Sequence, residues 1–599
     1  MSDVWATIPQ MVFAQAKAYG NRPVLQVKRG GISYRDITWS EFASQVEAIA
    51  LALIDLGVEP GDRVAILAEN RPEWATADLS ILAAQAVTVP IYTTLVAEEV
   101  HYILKNSGAK FIFVSSPEMM TNVLSADKAQ ELKIILFDAP YRVSGPRLWW
   151  LGELMGLGRT AGLQTKEELA KRLAQAKSEE LASIIYTSGT TGPPKGVMLT
   201  HGNFLSNCRA IREVIPINEK DTTLSFLPLS HVFERVAGYY FVLLVGGKIA
   251  YAENLEKVRE NLLEACPTVL TGVPRFYEKI VERIREVAGA QPAYRRRIFS
   301  WALKVGQQWA KAALSGKPVS GRLALQHRIA RALVFSKIKF SFGGNLRFCI
   351  SGSAPLAPEV AHFFYAIGIL ILEGYGLTET SPVITVNRPD RFRFGSVGLP
   401  LPGVEVRVAP DGEILTRGPH IMRGYWNNPQ ATAEVMDADG WFHTGDVGVL
   451  SADGFLTITD RKKDLIKTSG GKMVAPQNLE ASLKTDPLIA DCVLIGDRRK
   501  YLTALIVPNK PAVEAYAHKH SLAAANFEAL LQRSEITGLF WQRVERVNQK
   551  LASFEQIKKI TLLPEPFTLS GGELTPTMKV KRRVIAERYA SLIEAMYLE

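Results

Sequence analysis

The stretch Tyr186–Gly196, YTSGTTGPPKG, concentrates three glycines, four Ser or Thr hydroxyls and one lysine just after an apolar run. Glycine lets backbone N–H groups converge on an anion, hydroxyls add donors, and Lys195 adds a positive charge. That composition suits a phosphate-binding loop, although the spacing is not the GxxxxGK[ST] of a Walker A loop. A polar surface turn would draw on the same residue types. Turns seldom require so many donors at the end of a buried strand, so the residues favour phosphate.

Other polar groups are ambiguous when taken singly. Glu379, between Thr378 and Thr380, reads as a solvated loop carboxylate. Tyr375 reads as a core aromatic. His231 has no histidine near it in sequence and reads as a structural residue. The pair His518 and His520 has no cysteine beside it, so a solvated helix face suits it better than a metal site.

The surrounding blocks change these readings. After the glycine-rich loop come LPLSHVFER (Leu227–Arg235), TGVPRFYEKI (Thr271–Ile280), SGSAPL (Ser351–Leu356) and EGYGLTET (Glu373–Thr380). DGWFHTGDVG (Asp439–Gly448), TDRKKDLIKTSGGK (Thr459–Lys472) and LTPTMKVKRR (Leu574–Arg583) follow. In this order, and over most of the chain, they resemble the adenylate-forming (AMP-binding) superfamily of acyl-CoA synthetases. SHVFER, VPRFYEKI and TPTMKVKRR resemble its long-chain fatty acyl-CoA synthetase branch. The fold implied is α/β: a large N-terminal domain of stacked α/β subdomains plus a β-rich one, with a small mobile α+β C-terminal domain.

The activity implied is ATP-dependent activation of a fatty acid, followed by transfer to CoA. A carboxylate is a poor electrophile, and joining it to AMP supplies a leaving group that a thiol can displace. The first step brings two anions together, so positioned cations and donors must neutralise charge. The same motifs suit acyl carrier protein as the thiol acceptor. A non-catalytic lipid-binding protein would have no need of Lys195, Glu379, Asp446 and Lys579 together.

The resemblance also assigns roles. Thr187, Ser188, Gly189, Thr190, Thr191, Gly192 and Lys195 would cradle the phosphates of ATP. Thr187 and Glu379 would hold Mg²⁺, which prefers hard oxygen ligands. Thr378 would donate to the α-phosphate. Base and ribose fall to Gly352, Ser353, Ala354, Pro355, Gly374, Tyr375 and Gly376, with Asp446 taking the ribose hydroxyls and Arg461 beside it. His231 would line the acyl side. Lys579 would bridge carboxylate and α-phosphate; here Met578 precedes it where the superfamily has glycine, so Lys581 is an alternative. Asp460–Lys463 would be the hinge, with Lys463 at the pivot and Lys467 on the thioester-forming face.

These residues need elements to place them. Short β-rich runs alternate with helical patterns up to about residue 250: Arg63–Leu67, Lys110–Val114, Lys133–Phe137 and Leu181–Thr187 read as strands, and Glu41–Leu56 as a helix. Val287–Phe340 is helical and basic, and Phe394–Asn428 predicts short strands between turns. A boundary near Asp460 divides residues 1–459 from a small domain, 460–599.

At 599 residues, 47% apolar and 22% charged, the composition excludes a stapled miniprotein or a largely disordered chain. Four scattered cysteines, Cys208, Cys266, Cys349 and Cys492, argue against a disulfide framework. The N-terminal twenty residues show no basic-then-apolar leader, and the most apolar run, Val236–Gly247, is too short to span a bilayer. A cytoplasmic location is expected, with peripheral attachment to the inner face of a membrane as its extension.

Between Val287 and Pro358 there are twelve Lys or Arg and no Asp or Glu, so this segment's +12 leaves −2 for the rest of a +10 chain. A net charge so concentrated weakens a nucleic-acid reading. Ile298, Trp301, Val305, Trp309 and Ala312 recur at helical spacing beside the charges. Such a helix suits an anionic membrane surface, or equally packs its apolar stripe on the main domain.

Overall fold

The computed structural model describes every residue except 1–4, 29, 32, 127–130, 139–144, 146, 188–192, 317, 569–570, 576–579 and 599. Two large sheets dominate the first part of the chain. One has eight strands, its centre built from Arg63–Leu67, Val87–Ile91, Phe111–Val114 and Leu181–Thr187. FIFV and VTVPI are buried along their whole length, as strands covered by helices on both faces must be. The second, of nine strands, runs in parallel through Thr222–Ser225, Val269–Gly272, Phe348–Ser351 and Leu370–Gly376. Beyond it, Val383–Val386 pairs antiparallel.

Helices fill the space between and around the sheets. Trp39–Asp55 starts at a capping box, Thr38 accepting from the Glu41 amide while the Glu41 carboxylate accepts from the Thr38 amide. Its apolar residues join one hydrophobic cluster that runs through both sheets. Gly158 of the neighbouring helix Leu151–Arg159 fits because an added Cβ would lie 1.7 Å from the Ala48 carbonyl. The eight-stranded sheet is pinned to this core by a buried ion pair between Arg235 and Asp78. Arg235 also donates to Ser183, at 2.7 Å, and to the Tyr240 hydroxyl; Tyr240 and Thr88 in turn donate to Asp78. Breaking such a pair would leave a bare charge in the core, at a cost of about 3–5 kcal/mol.

The Glu–Arg of SHVFER is therefore structural. Glu234 and Arg235 open a π-helix, Glu234–Tyr240, whose residues are all buried. Burial pushes the Glu234 carboxyl up to about 8, and Ser225 donates to it at 2.6 Å. The apolar run Val236–Gly247 lies in this core, and among the described residues no helix is long and apolar enough to cross a membrane.

A four-stranded antiparallel sheet follows, from Glu405–Val408, Glu413–Arg417, Phe442–Leu450 and Leu456–Arg461. The chain then forms a separate core around Ile489–Ile495, Leu502–Pro508 and Ile557–Leu562, closed by helices on both faces.

The basic segment is helical, as Ala293–Leu314, Gly321–Ala330 and the turns to Phe340. Its tryptophan stripe turns inward beyond Ile298, which is itself exposed. Ala302, Val305 and Ala310 are buried, and Trp309 stacks on His327 at 4.4 Å and packs on Tyr365. The stripe packs on the main domain, because Gly306 lets the helix approach the Ala366 carbonyl to within Cβ contact.

Candidate active site

The carboxyl ends of the parallel strands gather the motifs. Thr222–Ser225 leads to His231, Phe348–Ser351 to Gly352–Pro355, and Leu370–Gly376 to Glu379. Leu370–Gly376 pairs parallel on one side and antiparallel on the other, and ligands of open α/β sheets bind outside the carboxyl ends of such strands.

The glycine-rich loop is hung from the other sheet. Leu181–Thr187 and Lys195–Thr200 pair antiparallel with Thr187 opposite Lys195, and the Thr187 hydroxyl donates to the Lys195 carbonyl at 3.4 Å. Ser188, Gly189, Thr190, Thr191 and Gly192 lie outside the described residues, as does Lys579. A two-residue strand, Gly424–Tyr425, adds to the outer edge of Lys195–Thr200, and the Trp426 amide donates to Gly196.

That small strand brings the two sheets' contributions together. The Tyr425 hydroxyl donates to Glu379 Oε1 at 2.8 Å, while the Lys195 ammonium lies 5.0 Å from the Tyr425 ring centroid. The Met422 amide donates to the Glu379 carbonyl at 2.8 Å, fixing the backbone as well. Burial, helped by the adjacent Glu379 charge, pushes the Tyr425 phenol upward, so it stays a neutral donor. Tyr425 escaped the sequence reading; its only signal was an aromatic pair, Tyr425–Trp426, in a stretch rich in turn residues. Glu379 and Thr187 both offer hard oxygen donors, the kind that fits Mg²⁺.

A second group forms around Asp446, which is buried on Phe442–Leu450. Tyr375 donates to Asp446 Oδ2 at 2.7 Å, and Arg461, its cross-strand partner, places Nε 3.1 Å from Oδ1. The ring of Tyr375 packs with Ile384, Ile414 and Leu456, so this residue is a core aromatic whose hydroxyl serves the site. Gly376 allows the turn that follows, since a Cβ there would meet the Pro382 carbonyl at 1.7 Å. Thr378 and Glu379 open the short 3-10 turn beyond it.

The Gly352–Pro355 loop is held from below. A Cβ on Gly352 would press on the Phe233 ring at 3.0 Å. Ser353 adopts the left-handed region, φ +70°. The Leu356 amide donates to Glu373 Oε1 at 3.3 Å, and burial pushes that carboxyl up to about 8. His231 turns inward on its own loop, its Nδ1 accepting from the Phe233 amide at 3.1 Å, with its ring 6.5 Å from Tyr92.

The remaining lysines lie elsewhere. Lys463 and Lys467 are exposed after the last strand of the four-stranded sheet. The Lys581 amide donates to the Glu573 carbonyl at 2.8 Å, and Arg582 pairs with Glu480 at 2.6 Å. Asp460 is buried and accepts from the Arg461 and Gln477 amides, tying the strand end to the start of helix Pro476–Leu483. Burial raises its carboxyl to about 6.

Two large α/β sheets sharing one core, a β-rich third unit, and Lys195 and Glu379 brought together by Tyr425 point to the adenylate-forming class of enzymes. The profile of the AMP-binding enzyme family matches residues 12–426, and that of the AMP-binding enzyme C-terminal domain matches 463–599. The chain belongs to this family, in its fatty acyl-CoA ligase branch.

Similar proteins include the long-chain-fatty-acid–CoA ligase FadD15 of Mycobacterium bovis, 39% identical over 597 residues, which cover 98% of this chain and 97% of that protein. The long-chain-fatty-acid–CoA ligase ACSBG2 of Xenopus laevis is 31% identical over 624 residues, covering 99% of this chain and 84% of that one. The fold also matches the A-PCP didomain of carboxylic acid reductase from Segniliparus rugosus in complex with AMP, with a TM-score of 0.76 at 23% identity, covering 100% of this chain and 82% of that one. The anthranilate CoA ligase AuaEII in complex with anthranoyl-AMP matches with a TM-score of 0.73 at 21% identity, covering 99% and 98%.

Proposed function

We propose that this chain is an ATP-dependent long-chain fatty acid–CoA ligase that forms an acyl-adenylate and then a thioester. The observation that carries the reading is the meeting of Lys195, Tyr425 and Glu379 at the mouth of the glycine-rich loop, beside the Tyr375–Asp446–Arg461 group. Full-length relatives named for this activity support the substrate class.

In the first half-reaction a fatty carboxylate oxygen attacks the α-phosphorus of ATP and diphosphate leaves. Lys195 and Thr187 through Gly192 hold the phosphates, and Thr378 donates to the α-phosphate. Mg²⁺ held by Thr187 and Glu379 would supply charge neutralisation. Asp446, oriented by Tyr375 and Arg461, accepts from the ribose hydroxyls, and the base rests against Gly352–Pro355 and Gly374–Gly376. Lys579 bridges the two anions that must meet. His231 lines the acyl side.

In the second half-reaction the CoA thiol attacks the acyl carbonyl and AMP leaves. We place the domain division at 459/460 and the hinge at 460–463; two separate hydrophobic cores and a second family match beginning at residue 463 support this. Turning there would withdraw Lys579 and bring Lys463 and Lys467 towards the thioester-forming side.

The test is ATP-dependent AMP release across a fatty-acid series, with CoA or acyl carrier protein as acceptor. CoA-dependent thioester with long-chain acids is expected. Failure to release AMP with any carboxylate tried, or thioester on the carrier protein alone, would overturn the reading.

A further inference from the structure

The basic helical segment is apolar on two sides, and only one is used. Inward, Ala330 and Phe335 are fully buried and His327 stacks on Trp309. Outward, Leu325, Ile329 and Leu333 follow at four-residue spacing and are 59%, 43% and 49% exposed, with Phe340 beyond them at 69%. An outward apolar row adds nothing to the docking of the helix, and water opposes it.

Cations flank this row. Arg322, Arg328, Arg331 and Lys337 are exposed, and among the described residues none of them makes an ion pair. The nearest carboxylates on packed elements belong to the helices Pro274–Gly289 and Pro358–Ala366. There Glu278 and Glu286 pair with Arg275 and Arg283 on their own helix, which leaves Glu282 and Glu359, both exposed, against the four cations. The field over the row is therefore positive.

We propose that this face, Arg322 to Phe340, docks on the surface of an anionic phospholipid bilayer. The row would enter the headgroup–acyl boundary while the flanking arginines and lysine meet lipid phosphates. A second copy of the chain fits poorly, because a two-fold interface would set the same cationic face against itself. Nucleic acid would pair with the cations and leave the apolar row in water.

Co-sedimentation of the full chain with phosphatidylcholine vesicles, with and without phosphatidylglycerol, tests this. Binding to the anionic vesicles alone, weakened by salt, is expected. Arg322→Gln/Arg328→Gln/Arg331→Gln and Leu325→Gln/Ile329→Gln/Leu333→Gln should each weaken it by at least about tenfold. Melting temperature and AMP release with a soluble acid should hold in both. Equal binding to both vesicles, no binding, or full binding by both variants would overturn the proposal. So would lipid-free dimerisation abolished by the leucine-row variant, or DNA binding that competes away the vesicles.

Discussion

Glu379 is held at two points, its backbone by Met422 and one carboxylate oxygen by Tyr425, whose ring also carries the Lys195 ammonium. A hydrogen bond to a charged group contributes about 1.5–3 kcal/mol. Tyr425→Phe should therefore raise the apparent KM for Mg–ATP by roughly tenfold, with fatty-acid KM unmoved in steady-state kinetics. Lys579→Ala should slow adenylate formation by about 10²–10³-fold in diphosphate-exchange assays. Lys581→Ala should leave that step near normal; the reverse result would transfer the bridging role to Lys581. The donor-rich composition of the glycine-rich loop marks Thr187 and Lys195, whereas Glu379 is marked only by the family resemblance. Tyr425 stayed hidden because its role comes from strand pairing with residues more than two hundred positions away, which no local pattern encodes.

Elements buried on both faces were the easiest to read. Arg63–Leu67 and Leu181–Thr187 stand where continuous apolar runs place them. The π-helix Glu234–Tyr240 was not foreseen, since its extra residue per turn leaves no compositional mark. The tryptophan stripe was open between core and membrane because periodicity identifies an apolar face without identifying its partner. At the turn after Leu370–Gly376, Gly376→Ala should cost at least about 2 kcal/mol in urea unfolding, since backbone rather than a movable side chain blocks the methyl. At the hinge, Lys463→Pro should depress thioester formation far more than acyl-adenylate formation in single-turnover assays. Equal loss in both half-reactions would remove the hinge from 460–463.

Across the molecule, five buried groups set how stability follows pH. Burial holds His201 down at about 3 and His420 at about 4, so both stay neutral in the fold. The unfolded chain gains their protons below about 6.5, and their stabilisation is lost as pH falls from there. Burial pushes Glu234 and Glu373 the other way, up to about 8. The folded chain keeps protons that the unfolded chain sheds above about 4.5, so this stabilisation is lost as pH rises towards 8. The two pairs oppose each other between about 4.5 and 6.5, where Asp460, raised to about 6, adds a gentle fall with rising pH, so a shallow slope is predicted there with steeper losses on both sides. Urea midpoints measured from pH 4 to 8.5 check this, and Glu373→Gln should flatten the alkaline limb.

Asp446 and Arg461 face each other across one hairpin, and Asp460, next to Arg461, grips the first turn of the following helix. With the proposed pivot at 460–463, Asp446, the proposed ribose acceptor, would sit almost on the axis of the small domain's swing. Points on an axle travel little while the rim sweeps far. On that proposal one bound adenylate would stay parked through both halves of the cycle while different lysines are wheeled past it, with no need to release and recapture the intermediate between steps.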